Sequence, residues 1–238
     1  MPIHPNDHIT AAALRAEKKR VRATGRWLVR HGTDQCAVTM GLALLATVWD
    51  EDDIPLIQTI GLLSDTFGPL AARALRRRSG GADALRWLAQ RVGGWGRVYV
   101  VEALCEVGPF QHREWLLRNA CDGNFLNGYI AGTVATAAHL HEAITRPGAD
   151  AALVDHTSRL LIVMSEAEGM GMTVDTYPPA DLVLAAHAEA LGTLPPTPDR
   201  HRAATRLADV AEGRRPEPLR QYRALLARPD WVAVSPPE

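Results

Sequence analysis

The pattern of apolar residues along the chain has a helical period, and short breaks interrupt it at regular intervals. In 95–107, Val98, Val101, Leu104 and Cys105 recur every three or four positions, which places them on one stripe of a helix. Gly-Gly, Gly-Pro and Asp-Gly steps then end the successive segments. The single β-branched run lies inside this stripe, and aromatic residues make up only 5% of the chain, so strand signals are weak. The sequence therefore predicts an all-α fold.

The helical segments also repeat along the chain. Segments open after a turn at Phe67, at Trp95 and at Asn124-Phe125, with spacings of 28 to 30 residues. Because a hairpin of two helices cannot cover its own apolar face, units of this size gain stability by stacking on their neighbours. We therefore expect three regions: a basic N-terminal helix at 1–33, a repeat region at 34–194, and a terminal helical pair with a tail at 195–238 that packs on the repeats.

Tryptophan recurs in phase with these units. Trp87-Leu88 is followed 28 residues later by Trp115-Leu116, and Trp95 opens a unit. Packing between stacked units requires apolar side chains at constant positions. The recurrence therefore predicts that these three tryptophans lie in the core.

Residues 95–108 and 67–80 carry a recognisable repeat pattern. The first reads Trp-Gly-Arg-Val-Tyr-Val-Val-Glu-Ala-Leu-Cys-Glu-Val-Gly, and the second is a looser copy with Ala-Arg-Ala-Leu at 72–75. This order of residues resembles the first helix of a short HEAT-like repeat. In that pattern an aromatic residue follows a turn, and then come Arg-Val, small residues, Ala-Leu and a closing Gly. The resemblance is strongest over 67–120 and extends over 34–144. It implies a HEAT-like α-solenoid, a right-handed superhelix of stacked helical hairpins, with a concave face for binding.

Charge is balanced over the whole chain but not along it. The total of 26 Lys and Arg against 27 Asp and Glu argues against a uniformly basic nucleic-acid binder. Seven cations and one anion occur in each of 14–32 and 71–97, four cations and twelve anions in 98–189, and eight cations and four anions in 198–228. The arginines either solvate outer helix faces or bind an anionic partner. For the second case the candidate binding residues are Arg73, Arg76, Arg77 and Arg97.

An acidic turn separates the first two basic blocks. Asp50–Asp53 follows the first predicted repeat helix and lies between Arg15–Arg30 and Arg73–Arg97. These carboxylates would neutralise part of any cationic stripe that passes them. We therefore expect two separate cationic patches, and only weak, salt-sensitive contact with nucleic acid.

An enzymatic alternative comes from the HEAT-like DNA glycosylases that remove alkylated bases, which this chain resembles in length and architecture. That resemblance implies an aspartate carboxylate beside aromatic walls in a cationic groove. The residues that could supply these groups are Asp122, Trp95, Tyr99 and Arg118. No motif aligns them, and Asp122 followed by Gly123 also fits an ordinary turn.

The histidines offer a weak metal signal. His139 and Glu142 have the i,i+3 spacing of helical ligands, and His141 and His156 are nearby in the sequence. A second His–Glu pair of this spacing is missing, so we predict surface or interface roles for the histidines, no metal and no cofactor.

Cysteine use and hydropathy suggest a compartment. Cys36, Cys105 and Cys121 are scattered and form no Cys-x-x-Cys pair. The longest apolar stretch, 37–49, is too short to span a bilayer, and the polar start of the chain has no apolar signal core. These features predict a cytoplasmic protein that does not enter a membrane.

Together the patterns favour a non-enzymatic scaffold that binds another protein through its concave face. The alternative is a DNA-binding protein related to the alkylpurine DNA glycosylases. The sequence leaves the partner and the oligomeric state open.

Overall fold

The computed structural model describes residues 7–235, and all regular secondary structure in this range is helical. It contains no strand, which confirms the predicted all-α class. The described residues form two 3-10 turns, Glu51–Asp53 and Phe125–Tyr129, and fifteen α-helices: α1 Asp7–Arg15, α2 Lys18–His31, α3 Gln35–Leu45, α4 Ile54–Gly61, α5 Ser64–Leu75, α6 Gly81–Ala89, α7 Gly94–Val107, α8 Arg113–Asn119, α9 Ala131–Ala137, α10 Leu140–Ile144, α11 Ala151–Ser165, α12 Ala180–Gly192, α13 Pro198–Ala211, α14 Pro216–Leu226 and α15 Pro229–Val232. None of these helices is long and apolar enough to cross a bilayer.

The helices form two compact units, Met1–His112 and Arg113–Glu238. The division falls inside the region 34–194 that the sequence pattern treats as one series of repeats. The predicted basic segment 1–33 contains two helices, α1 and α2, and its first six residues lie outside the described range. The terminal segment 195–238 contains the predicted pair, α13 and α14, and the short α15, and its last three residues also lie outside that range.

In unit 1, helices pack against their sequence neighbours and against the next helix but one. The neighbour pairs are α2 with α3, α4 with α5, and α6 with α7. In addition, α5 packs against both α3 and α7, and α4 packs against α6. Unit 1 therefore has one row formed by α3, α5 and α7, and a second formed by α4 and α6.

Two glycines set the distance between α5 and α7. A Cβ atom on Gly68 would lie 2.7 Å from the Cα atom of Gly96, closer than side chains approach a backbone. These glycines belong to the pairs Phe67-Gly68 and Trp95-Gly96 that open two of the repeated segments. The repeat therefore keeps glycine at these positions because the two helix backbones touch there.

The three repeated tryptophans expected in the core lie at its edge. Trp87, Trp95 and Trp115 are only half-buried, whereas Leu88 and Leu116 beside two of them are fully buried. Consecutive residues on a helix point about 100° apart, so the leucine of each Trp-Leu pair occupies the buried stripe and turns the indole to its edge. Leucine therefore carries the core at these two positions.

Unit 2 is arranged around α11. This helix packs against α8, α9, α12 and α13, and α14 packs against both α12 and α13. It begins at Asp150, whose carboxylate accepts a hydrogen bond from the Leu153 N–H (2.8 Å), as an N-cap residue does. Its middle residues, including the polar His156, Thr157 and Ser158, are buried.

A neutral hydrogen-bond chain crosses the core of unit 2 from α11 through α12 to α14. His187 Nε2 lies 2.8 Å from Ser158 Oγ, and His187 Nδ1 lies 2.7 Å from Tyr222 Oη. The Ser158 hydroxyl donates to the Val154 carbonyl (3.3 Å). Every donor in this series of hydrogen bonds has an acceptor if the Tyr222 hydroxyl donates to Nδ1 and Nε2–H donates to Ser158. This arrangement requires the neutral imidazole, with its proton on Nε2. Burial lowers the pKa of His187 to about 4.

This buried imidazole should make folding pH-dependent. In the unfolded chain His187 takes up a proton near its ordinary pKa of 6.5, whereas in the folded chain it does so only near pH 4. Stability is therefore full above pH 6.5 and falls as the pH decreases towards 4. We expect protonation of His187 to lower the free energy of unfolding by about 2 kcal/mol between pH 7.5 and pH 5.

The measurement is urea unfolding of the wild type and of His187→Leu at these two pH values. The variant should be less stable at pH 7.5, since Ser158 and Tyr222 lose their partner, but its stability should change less between the two pH values. His201→Ala, which alters a partly exposed histidine of α13, serves as the control. Equal pH dependence of the wild type and His187→Leu would contradict the assignment.

Candidate functional site

A buried arginine fixes the end of α5 against the connection that follows α3. The Arg78 side chain is fully buried and donates to the carbonyls of Leu45 (2.8 Å), Val48 (2.8 Å) and Asp50 (3.1 Å). It also donates to the carbonyl of Ala74, in the last turn of α5. Burial lowers the pKa of Arg78, and the nearby carboxylates oppose that shift. This side chain thus positions both the C-terminal end of α5 and the segment 46–50.

The buried carboxylate of Asp53 is the acidic partner in this region. It accepts hydrogen bonds from Arg22 Nε (3.0 Å) and Arg26 Nη1 (2.8 Å), and Arg78 Nη2 lies 4.0 Å away. Arg22 also forms an ion pair with Asp50 (2.6 Å), and its bonds to these carboxylates raise its pKa. As expected from the sequence, the acidic turn neutralises part of the first basic block.

In the described part of the chain, the acidic turn forms no ion pair with the surface arginines on and just after α5. Arg76 forms an ion pair with Glu106 (2.8 Å). The guanidinium of Arg77 lies over the ring of Trp49, 4.5 Å from its centroid. Arg73 forms no ion pair or hydrogen bond with the residues that the structure describes.

These arginines surround a small cavity of about 100 Å³. Two apolar side chains at its edge are exposed, Leu14 of α1 at 72% and Trp49 at 53%. The Trp49 Nε1–H donates to the Ala46 carbonyl (3.3 Å), which holds the indole at this position. The cavity is lined by Thr10, Leu14, Ala43, Ala46, Thr47, Trp49, Arg73, Arg76 and Arg77. We call the group formed by Leu14, Trp49, Arg73, Arg76 and Arg77 the Trp49 surface.

The structure brings together three of the four arginines that the sequence singles out. Arg73, Arg76 and Arg77 belong to the Trp49 surface, but Arg97 does not line its cavity. Arg97 Nη1 donates instead to the Ala89 carbonyl (2.7 Å) at the end of α6. Sequence reasoning assigned no site to Trp49, although a tryptophan just before an acidic turn was the available signal.

The residues of the enzymatic alternative are divided between the two units. Trp95 and Tyr99 lie on α7 of unit 1, with ring centroids 6.0 Å apart. Arg118 lies on α8 of unit 2, where it donates to Asp150 from Nη2 (2.8 Å) and from Nε (3.2 Å). The carboxylate of Asp122 accepts the Asn124 N–H (3.0 Å), as the turn interpretation predicts.

The histidines separate into a cluster and a structural residue. His139, His141 and Glu142 present ligand atoms that all lie within 4.8 Å of one another. His156 does not join them, since its Nδ1 lies 2.9 Å from the Leu117 carbonyl and its Nε2 accepts the Cys121 N–H (3.1 Å). His156 therefore holds the end of α8 against α11. The i,i+2 spacing of the first two histidines gave no sign that they would meet.

Comparison with known proteins provides no relative from which a function could be transferred. No protein-family model, no curated protein and no solved structure matches the chain. The chemistry of the grouped side chains is therefore the basis for a functional proposal.

The buried ion network of unit 1 should be essential for its stability. Asp53→Ala removes the buried carboxylate and leaves Arg78 buried without its closest carboxylate, while Arg26 loses its partner and Arg22 keeps only Asp50 and Asp52. Breaking a buried ion pair in this way costs about 3–5 kcal/mol. We expect a loss of this size in the free energy of unfolding, measured by chemical denaturation.

Asp52→Ala is the matched control, because Asp52 belongs to the same turn and is 84% exposed, 3.6 Å from Arg22. An exposed ion pair of this kind contributes less than about 1 kcal/mol. Similar losses in the two variants would show that burial of Asp53 does not matter for folding.

Proposed function

We propose that this protein is a non-enzymatic scaffold that binds an acidic segment of another protein through the Trp49 surface. The observation that supports the proposal is the position of an exposed tryptophan and an exposed leucine beside three arginines. Tryptophan and arginine are the residues that most often dominate the binding energy of protein interfaces. Single apolar residues at a surface are common, but their combination with guanidinium groups around a cavity favours recognition.

The contacts define the chemistry of the partner. Arg73 and Arg77 have no acidic partner among the described residues, so they can bind carboxylates with paired N–H donors. The cavity between them, about 100 Å³, has room for one large apolar side chain. We therefore infer an acidic segment that carries a single apolar or aromatic residue.

We further propose that the helices stack as a HEAT-like α-solenoid. The supporting observation is the packing in rows, with α3, α5 and α7 in one row and α4 and α6 in the other. In unit 2, the pairs α11–α13 and α12–α14 repeat this relation. The cavity at the Trp49 surface is lined by Ala43 of α3 and Arg73 of α5, so we propose that their row forms the binding face. Solenoid repeats use such a face, formed by one helix of each hairpin, for partners.

We also propose that the protein acts in the cytoplasm and needs no cofactor for this role. Cys36, Cys105 and Cys121 are free thiols, which suits a reducing compartment. Burial raises the pKa of the Cys105 thiol to about 12, so this side chain is a packing residue and not a nucleophile.

Selection from a library of displayed random peptides tests the proposed partner chemistry. Peptides retained by the wild-type protein should be enriched in Asp and Glu around one large apolar residue. The enrichment should be lost with Trp49→Ala and with Arg77→Glu, and the affinity of a selected peptide should fall about thirtyfold, as for a typical interface hot spot.

Arg91→Glu is the matched control, because Arg91 also stacks on a tryptophan, 4.1 Å from the ring centroid of Trp87, in the same unit. It should leave the selected peptides bound. Selection of peptides without acidic residues, or retention that Trp49→Ala does not change, would contradict the proposal.

The DNA-binding alternative is tested by a fluorescence titration with duplex DNA. Two arginines without acidic partners can replace about two phosphate counterions, so binding should be weak and fall about tenfold between 50 and 200 mM salt. Arg73→Glu should weaken it further, and Arg91→Glu should have less effect. Tight binding that persists at about 200 mM salt would favour the alternative over the protein partner.

A further inference from the structure

A break between two helices brings two histidines of unit 2 together. Helix α9 ends at Ala137, α10 begins at Leu140, and His139 between them has φ 50° and ψ 56°, in the left-handed region. On a continuous helix, side chains at i and i+2 point about 200° apart. The break instead places the rings of His139 and His141 on one side, with centroids 6.0 Å apart.

Glu142 completes the group. One of its carboxylate oxygens, Oε1, lies 3.3 Å from Nδ1 of His139. One ligand atom from each of His139, His141 and Glu142 lies within 4.8 Å of the other two. Two imidazole nitrogens and one carboxylate oxygen thus converge at the start of α10.

An arginine holds this carboxylate in place from the other side. Arg113 Nη2 lies 3.2 Å from the second oxygen of Glu142, Oε2. The same guanidinium donates to the carbonyls of Ala138 (2.8 Å) and His139 (3.0 Å), so it is anchored at the helix break. Arg146 lies 3.9 Å from the same Oε2. Both cations therefore contact Oε2, and Oε1 is the oxygen that faces the histidine.

We propose that His139, His141 and Glu142 bind one divalent transition metal ion, with zinc as its typical member. Two imidazoles and a carboxylate are a common ligand set for zinc, with bonds of about 2.0–2.2 Å. Tetrahedral ligands at this distance lie about 3.4 Å apart. His139 and Glu142 already meet this separation. The other separations are within 4.8 Å and must shorten by at most about 1.4 Å, which needs only side-chain rotation because all three side chains are partly or largely exposed.

The ligand set also defines the selectivity and strength of the site. Magnesium and calcium prefer shells made of oxygen ligands, so they should compete poorly with zinc. Three protein ligands leave a fourth position for water or for a ligand from a partner. The positive charge of Arg113 opposes a second cation nearby, so we expect weaker binding than at a closed four-ligand zinc site.

Isothermal titration of the metal-free full chain with Zn²⁺ tests the proposal, with Co²⁺ absorption as a second measurement. We expect one ion per chain, and visible Co²⁺ bands typical of four-coordinate geometry. His141→Ala and Glu142→Gln should each weaken Zn²⁺ binding at least tenfold. His139→Asn removes the imidazole but tolerates the left-handed backbone, so it should weaken binding without loss of folding. Mg²⁺ at the same concentration should not displace Zn²⁺.

His201→Ala is the control for adventitious histidine binding, since this residue is a partly exposed histidine of unit 2 outside the cluster. It should leave Zn²⁺ binding unchanged. Far-ultraviolet circular dichroism would show that each variant remains helical. Absence of saturable Zn²⁺ binding in the wild type, or equal binding by His141→Ala and Glu142→Gln in folded protein, would overturn the proposal.

Discussion

The burial of Asp53 is the constraint on which unit 1 depends. Removing a carboxylate and a guanidinium from water costs several kcal/mol for each ion, and only close partners can offset this. Asp53 obtains them from α2, through Arg22 and Arg26, while Arg78 obtains carbonyl oxygens from the segment after α3. Since these partners come from different helices, the network forms only when α2, α3 and the end of α5 assemble together. The network therefore links the packing of these three helices.

In the core of unit 2, buried polar groups that carry no charge form hydrogen bonds with one another. Ser158, His187 and Tyr222 satisfy one another in the core, and burial keeps the imidazole uncharged. Arg118 holds a helix end of this unit at the Asp150 N-cap of α11. The one buried arginine described in unit 2, Arg215, pairs with the more exposed Asp175 and Asp181. A neutral chain avoids the desolvation cost of ions but makes stability depend on acid, whereas the ion network of unit 1 requires complete pairing.

Local patterns in the sequence were sufficient to predict the helices but not the contacts between distant residues. The stripe in 95–107 predicted a helix that the structure places at Gly94–Val107, because periodicity and breakers are local properties. The approach of His139 to His141 depends on a single left-handed residue between two short helices. Only glycine marks that conformation reliably in a sequence, and histidine here gave no signal. The repeated pattern likewise related Trp87-Leu88 to Trp115-Leu116, but it did not show which member of each pair is buried.

Charge counts along the sequence have the same limit, because they do not show which arginines of unit 1 are buried and which lie at its surface. Counting residues gives 71–97 an excess of six cations, but the count does not distinguish their roles. Arg78 is in the core, Arg97 donates to a helix end, and Arg76 has an acidic partner. Arg91 stacks on Trp87, and Arg73 and Arg77 line the cavity beside Trp49. The carboxylates of Asp50 and Asp53 pair with Arg22 and Arg26, and within the described residues neither forms an ion pair with Arg73 or Arg77. These two cations therefore stay available at the surface of unit 1, whereas the other arginines of the block differ in their roles.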